Sequence, residues 1–326
     1  LAEAESWSND MGPMIDDEIV PVFLINGFLE AGKTEFLSFT MEQEYFQAKG
    51  KTLLLVCEEG EIEYEPELLD ETRTEVILIE SIDEMTPEHL IELERLHQPE
   101  RVIIEWNGMW NQDELKLPEK WTVYQQITIV DMSSFDIYVK NMKPLFSAMV
   151  RNSELIIGNR CDGIPDLERY KRMLKSMNTR CDIVFEDEDG EINEISEEDL
   201  PYDLQADVIQ ISPEAYGVWY IDCMDKPERY IGKTVEYTAM VLKSPNFPKN
   251  YFVPGRMAMT CCADDMTFLG YVCKAREARK LETRQWVRVR AKVAVEYWQD
   301  YEGEGPVLYA EEVVPASPIN DVVQFN

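Results

Sequence analysis

Short apolar runs recur through the first two thirds of the chain. They are Val22–Ile25, Thr52–Val56, Val76–Ile79, Arg101–Glu105, Thr122–Val130, Leu155–Ile157 and Ile183–Phe185. Such runs, without polar alternation, are the pattern of strands buried on both faces. Between them lie segments of helical period: one from the end of the first glycine loop to about Lys49, Pro87–His97 with Thr86 as N-cap, Ser133–Val150 and Asp166–Met177. Strand and helix in alternation predict an α/β fold, a mostly parallel sheet with helices on both faces, whose ligands sit beyond the carboxyl ends of the strands. After about Tyr220 the helical period fades and strand alternation takes over, in Thr234–Leu242, Trp286–Tyr297 and Val307–Val314. This predicts a small, mostly antiparallel β domain, a five-stranded barrel of the OB type. The expected division is an acidic, non-periodic and disordered leader over 1–18, an α/β domain over 19–225 and a β domain over 226–326, with the boundary near Met224–Tyr230.

The first strand runs straight into Gly27–Thr34, GFLEAGKT, a complete G-x-x-x-x-G-K-[ST] phosphate loop, and then into a helix. Backbone N–H groups over such a loop form a nest for phosphate oxygens, and the helix N-terminus adds positive potential. Gly27 and Gly32 turn the chain where a Cβ obstructs, Glu30, Ala31 and Glu35 complete the cradle, Lys33 reaches the β- and γ-phosphates, and Thr34 places its hydroxyl on Mg²⁺. The plain alternative is an ordinary strand–turn–helix that matches by chance.

Two further groups stand at strand ends. In Glu105-Trp106-Asn107-Gly108 the carboxylate suits a water of the Mg²⁺ shell, and Gly108 offers an N–H toward a γ-phosphate. In Asn159-Arg160-Cys161-Asp162 the aspartate suits the N1–H and exocyclic amine of guanine, with Asn159 bracing the loop and the Arg160 stem over the base. Each match alone is weak; three in order, each at a strand end, reinforce one another.

The totals narrow the options. The 326-residue chain has a formal net charge of −33, which disfavours nucleic-acid backbones and anionic membrane surfaces. Trp286, Tyr297 and Trp298 on the β domain have rings that stack on bases, but the acidic balance argues against that use. Seven cysteines without a C-x-x-C, no signal peptide and no apolar run of about 18 residues predict a cytoplasmic protein with reduced thiols that is not membrane-embedded. Glu186–Asp199 is a charge run that reads as a solvated excursion, and His89 and His97 as solvated helix residues.

Taken together, these motifs resemble the CobW-type P-loop GTPases, relatives of the nickel-insertion GTPases of urease and hydrogenase maturation. The family's PV-x-x-x-x-GFLGAGKT is met by Pro21-Val22 and Gly27–Thr34, its E-x-x-G by Glu105–Gly108, and its NK-x-D by Asn159 and Asp162 with Arg160 in the lysine position. A family segment resembling NEFGE is echoed by Glu58-Glu59-Gly60-Glu61. The resemblance covers about residues 19–212. It implies GTP hydrolysis coupled to handling of a transition metal, with GTP and Mg²⁺ as ligands. The family's C-x-C-C metal motif has no counterpart: the corresponding stretch, Ile79–Met85, holds no cysteine. Soft thiolate ligation there is not expected, and Asp83, Glu84 and the Cys57 loop read as a harder site or as plain surface carboxylates.

The β domain carries Arg256, Cys261, Cys262 and Asp265 in an R-x-x-x-x-C-C-x-x-D pattern. It resembles the C-terminal domain of a family of hydrophobic proteins associated with membrane permeases. Two readings stay open: Cys261, Cys262 and Asp264 or Asp265, with Cys273, as ligands for Zn²⁺ or another transition metal, or two small thiols filling core space. Two functions follow. One is a slow GTPase, without an identifiable glutamine or arginine finger, that passes metal to a receiving protein. The other is a nucleotide-gated adaptor with negligible hydrolysis whose β domain docks a membrane permease.

Overall fold

The computed structural model describes residues 19–192, 200–244, 247–259, 266–319 and 322–323. The chain divides into two compact units, Leu1–Pro165 with Arg180–Ile195 and Asp166–Thr179 with Ser196–Asn326.

The first unit is a mostly parallel sheet. Its strands are β1 (Val20–Asn26), β2 (Thr52–Val56), β3 (Thr74–Leu78), β4 (Arg101–Glu105), β5 (Trp121–Asp131), β6 (Leu155–Asn159), β7 (Asp182–Asp187) and β8 (Gly190–Glu191). They lie in the order β3-β2-β4-β1-β5-β6-β7-β8, all neighbours parallel except the terminal β7–β8 hairpin. Burial follows from place in that order. Central β2 and β4, TLLLV and RVIIE, are buried at every residue, whereas β3 alternates toward the edge.

The sheet feeds two cores. Leu53 and Leu55 of β2 join Val22, Val102, Ile104, Leu90 and Leu93. Leu54 and Val56 join Ile25, Ile103, Ile129, Leu37 and Met41 on the opposite face. The helices of this unit are α1 (Lys33–Glu42), α2 (Pro66–Glu71), α3 (Pro87–His97) and α4 (Phe135–Val150). Thr86 caps α3 by accepting the His89 N–H at 3.3 Å, and proline opens its first turn. α1 ends earlier than its pattern predicts: Gln43 is extended and a 3₁₀ turn, Glu44–Phe46, follows. α4 kinks at Met142, two residues before Pro144, which lacks an N–H and crowds the turn before it.

The second unit contains α5 (Leu167–Met177), β9 (Val208–Gln210), α6 (Tyr216–Asp225), β10 (Thr234–Leu242), β11 (Tyr251–Met259), β12 (Met266–Gly270), β13 (Cys273–Lys274), β14 (Trp286–Trp298) and β15 (Gly303–Pro315). The order β11-β13-β15-β14-β10 is closed by a β10–β11 pairing, and β13 runs parallel to β15. First strand beside second and fourth, third beside second and fifth, is the Greek-key closure of an OB barrel, as expected. β14 alternates with period two, Val287, Val289, Ala291 and Val293 inward and Arg288 and Lys292 exposed. α6 adds Tyr216, Trp219 and Cys223 to the barrel core. Each of three core phenols donates to a backbone carbonyl: Tyr216 to Leu269 at 3.0 Å, Tyr237 to Pro254 at 3.2 Å, and Tyr271 to Tyr220. Among the described residues, no helix is long and apolar enough to cross a membrane.

Candidate nucleotide site at the strand ends

The site is assembled by register. Parallel pairing sets Ile25 beside Glu105 and Val56 beside Glu105, so β1, β2 and β4 end together. β5 and β6 end together one strand over, with Asp131 opposite Asn159. The glycine loop leaves β1 and enters α1 within this line of strand ends. Gly27 has φ +149°, and a Cβ there would lie 2.6 Å from the Ile129 carbonyl oxygen. Gly32 has φ +99°. Glycine is therefore required by backbone and space alike.

Lys33 is 4% exposed and folds back over the loop. Its Nζ donates to the carbonyls of Gly27 and Phe28 at 3.0 Å each and to Glu58 Oε2 at 2.9 Å. Thr34 donates its hydroxyl to Glu105 Oε1 at 3.0 Å, and the Tyr64 hydroxyl donates to Glu105 Oε2. Burial pushes the Glu105 carboxyl above its ordinary range, while Tyr64, Lys33 and Thr34 pull the other way. Burial, reinforced by the Glu105 charge, keeps the Tyr64 phenol protonated. Gly108 lies hard against the loop: a Cβ on it would meet Gly27 O at 2.4 Å and Phe28 Cα at 2.7 Å. The residue expected as an N–H donor is thus also a point of contact between two backbones. Asn107 Nδ2 ties this turn to the Cys57 carbonyl at 3.2 Å.

The second expected box also comes to the loop. Asn159 Nδ2 donates to Ala31 O at 2.7 Å. Arg160, at φ +55°, donates to Glu30 O at 2.8 Å and to Asp131 Oδ2 at 2.7 Å. The Asp131 carboxyl is raised by burial, but Ser133 and Arg160 outweigh that and hold it below its ordinary value. Asp162 is exposed and accepts the Glu188 N–H at 3.3 Å, so the β7–β8 hairpin approaches it. Glu35 is exposed in the first turn of α1.

The structure therefore brings Gly27, Glu30, Ala31, Gly32, Lys33, Thr34, Glu105, Gly108, Asn159 and Arg160 to one place. Cys261, Cys262 and Asp265 lie outside the described residues, as do Asp264 and residues 193–199 of the charge run. Among the described residues, no group of three or more His, Cys, Asp or Glu side chains is placed to hold a metal ion. Glu84 turns back to cap its own turn, accepting the N–H groups of Glu80 and Ser81. Cys57, Cys161, Cys223 and Cys273 are free, buried thiols, Cys181 is buried too, and burial pushes Cys57 up to about 12. For Mg²⁺ the donor set fits: a threonine hydroxyl 3.0 Å from a buried carboxylate oxygen is a pair of hard oxygens.

Three participants have no motif to announce them. Glu58 sits in a carboxylate-rich loop that reads as a harder metal site or as plain surface carboxylates, Tyr64 closes the same loop, and Asp131 ends β5. The echo of the family's NEFGE segment was the one signal that pointed to Glu58.

A parallel sheet with this glycine loop, lysine and strand-end carboxylate defines a P-loop nucleotide-binding domain. Residues 21–185 match the CobW/HypB/UreG nucleotide-binding domain, half of the chain, and the protein belongs to that family. Residues 185–323 match the DUF1980 C-terminal domain. No curated protein matches the chain. Similar solved structures include the hydrogenase maturation factor HypB from Archaeoglobus fulgidus, 17% identical over 52% of this chain and 82% of that one, TM-score 0.37. The Zn(II)-bound YjiA GTPase from E. coli is 14% identical over 80% and 97%, TM-score 0.39. HypB from Helicobacter pylori, in complex with nickel, is 14% identical over 52% and 80%, TM-score 0.34.

Proposed function

We propose that the protein is a GTPase that handles a transition metal. The observation that carries the nucleotide part is the convergence on one loop of Lys33, the Thr34–Glu105 pair and the Asn159–Arg160 brace. The phosphates would lie on the amides of Gly27–Thr34 with Lys33 as counter-charge. Thr34 and Glu105 would hold Mg²⁺, directly and through its water, and the ion would neutralise charge building on the phosphate oxygens. Asp162 would accept from the guanine amine and N1–H, with Arg160 fixed over the loop by Asp131.

Glu105 is buried, its carboxylate held by the Thr34 and Tyr64 hydroxyls, and acts as an orienting group. Among the described residues bonded to the loop none is a glutamine, and Arg160 is held by Glu30 O and Asp131, so intrinsic turnover should be slow. The metal part rests on family membership, on the nickel and zinc named for the similar HypB and YjiA structures, and on the Cys261-Cys262 pair.

Paired GTP and ATP titrations with phosphate release, across a panel of divalent metals, test the reading. GTP-selective binding with slow Mg²⁺-dependent release supports it. Binding without release points instead to the nucleotide-gated adaptor. No binding of either nucleotide defeats both.

A further inference from the structure

The segment Cys57–Tyr64 is fastened at three places, two on the phosphate loop and one on the carboxylate that ends β4. Glu58 Oε2 lies 2.9 Å from Lys33 Nζ, with side chains 10% and 4% exposed. The Glu61 N–H donates to Glu30 Oε1 at 2.9 Å. The Tyr64 hydroxyl donates to Glu105. These are not arbitrary anchor points. Lys33 is the cation that a triphosphate needs, Glu105 is the carboxylate that orients the Mg²⁺ shell, and Glu30 belongs to the cradle itself.

Lys33 has three N–H donors, and two go to Gly27 O and Phe28 O. The third goes to Glu58. A phosphate oxygen that takes this donor must compete with a carboxylate already on it, and the two anions repel each other in a site of low exposure. A diphosphate puts less charge near Lys33 than a triphosphate does. Glu58 therefore weighs against the γ-phosphate more than against the rest of the nucleotide.

We propose that Glu58 is an internal competitor that sets the preference between GTP and GDP, and that GTP binding expels it and unfastens residues 57–64. This rests on the nucleotide reading above. It adds that affinity for the triphosphate is held down by the chain itself. The cost of removing Glu58 from Lys33 is what couples nucleotide charge to movement of this segment.

The test is titration calorimetry with GTPγS and GDP, each with Mg²⁺, on the full chain and on Glu58→Gln. Amide exchange across 57–64 is followed in parallel. A charge-assisted contact of this kind predicts that Glu58→Gln binds GTPγS about tenfold more tightly, with a smaller gain for GDP. Exchange over 57–64 should rise when GTPγS is added to the native protein. It should already be high in Glu58→Gln without nucleotide. Tyr64→Phe, which keeps the ring and loses only the bond to Glu105, should raise exchange over the same segment. The proposal is overturned if Glu58→Gln leaves that ratio unchanged or weakens GTPγS, or if exchange over 57–64 does not rise with GTPγS. Failure of the nucleotide reading looks different: neither protein then binds either nucleotide, and the competitor role falls with it.

Discussion

The two units handle polar groups in opposite ways. Residues 166–179 and 196–326 carry 18 Lys and Arg against 23 Asp and Glu, while the rest of the chain carries 13 against 41. The acidity of the chain is thus mostly a property of the sheet unit, and an argument from net charge against polyanions reaches the barrel unit only weakly. In the sheet unit buried charges face one another where the strands end, Lys33 on Glu58 and Glu105 on Thr34 and Tyr64, while the buried Arg101 stands at the start of β4 on Thr52. In the barrel unit the buried polar groups include phenols that donate hydrogen bonds to backbone carbonyls, and among the described residues its two buried acids are paired, Asp222 with Arg229 at 3.0 Å and Glu236 with Arg290 at 2.7 Å. Charges that face one another around a loop can be re-partnered by a ligand. Phenols bonded to main chain inside an aromatic core hold a shape. Chemistry is therefore expected at the strand ends, and the barrel core is expected to be structural.

That contrast is broken most directly at Lys33. Lys33→Ala removes a buried charged donor and should weaken GTP about 30- to 1,000-fold by calorimetry, with the thermal transition of the barrel unchanged. The converse probe is Trp219, fully buried beside Tyr237 and Tyr271. Trp219→Ala should cost about 3–5 kcal/mol in a denaturant titration and leave GTP affinity as it was. If GTP affinity falls as well, the division of labour is wrong.

A smaller effect belongs to Gly108→Ala. Its Cβ would press on Gly27 O and Phe28 Cα, so the loop must shift, at about 1–3 kcal/mol of GTP binding. Smallest is Asp225, which lies 3.0 Å from Lys175 and 3.1 Å from Lys171. Burial raises its carboxyl, but the two lysines outweigh burial and hold it below 3.8. A carboxyl lowered on folding adds stability above its unfolded value and loses it as pH falls through the folded one. Asp225→Asn should cost about 1 kcal/mol near pH 7 in a urea midpoint, and the difference should fade as pH falls through the lowered folded pKa of Asp225.

Much of the sheet unit could be read before its structure. β2 and β4 stand as predicted because an all-apolar run of five leaves little choice, and α3 because cap, proline and period agree. The phosphate loop and its two partner boxes were legible because glycine, lysine and strand-end residues have few other reasons to fall in that order. Contacts across the site were not. Glu58 and Glu59 are neighbours of one charge, and nothing local says which of them reaches Lys33. α6 was missed because YGVWYIDCMD is apolar around most of its circumference and so carries no helical stripe. Arg256 was noted for its place in a cysteine pattern, yet what the structure shows of it is a guanidinium 2% exposed that donates to Pro213 O at 2.6 Å.

The alternation in β2 has a consequence for how this chain tolerates change. Leu53 and Leu55 serve one layer, Leu54 and Val56 the other. Swapping one of them for another aliphatic disturbs a single side of the sheet. Adding or deleting one residue ahead of Leu53 inverts all four at once and drags Cys57 and Glu58 half a pleat out of step. Length in this strand should prove far less negotiable than composition.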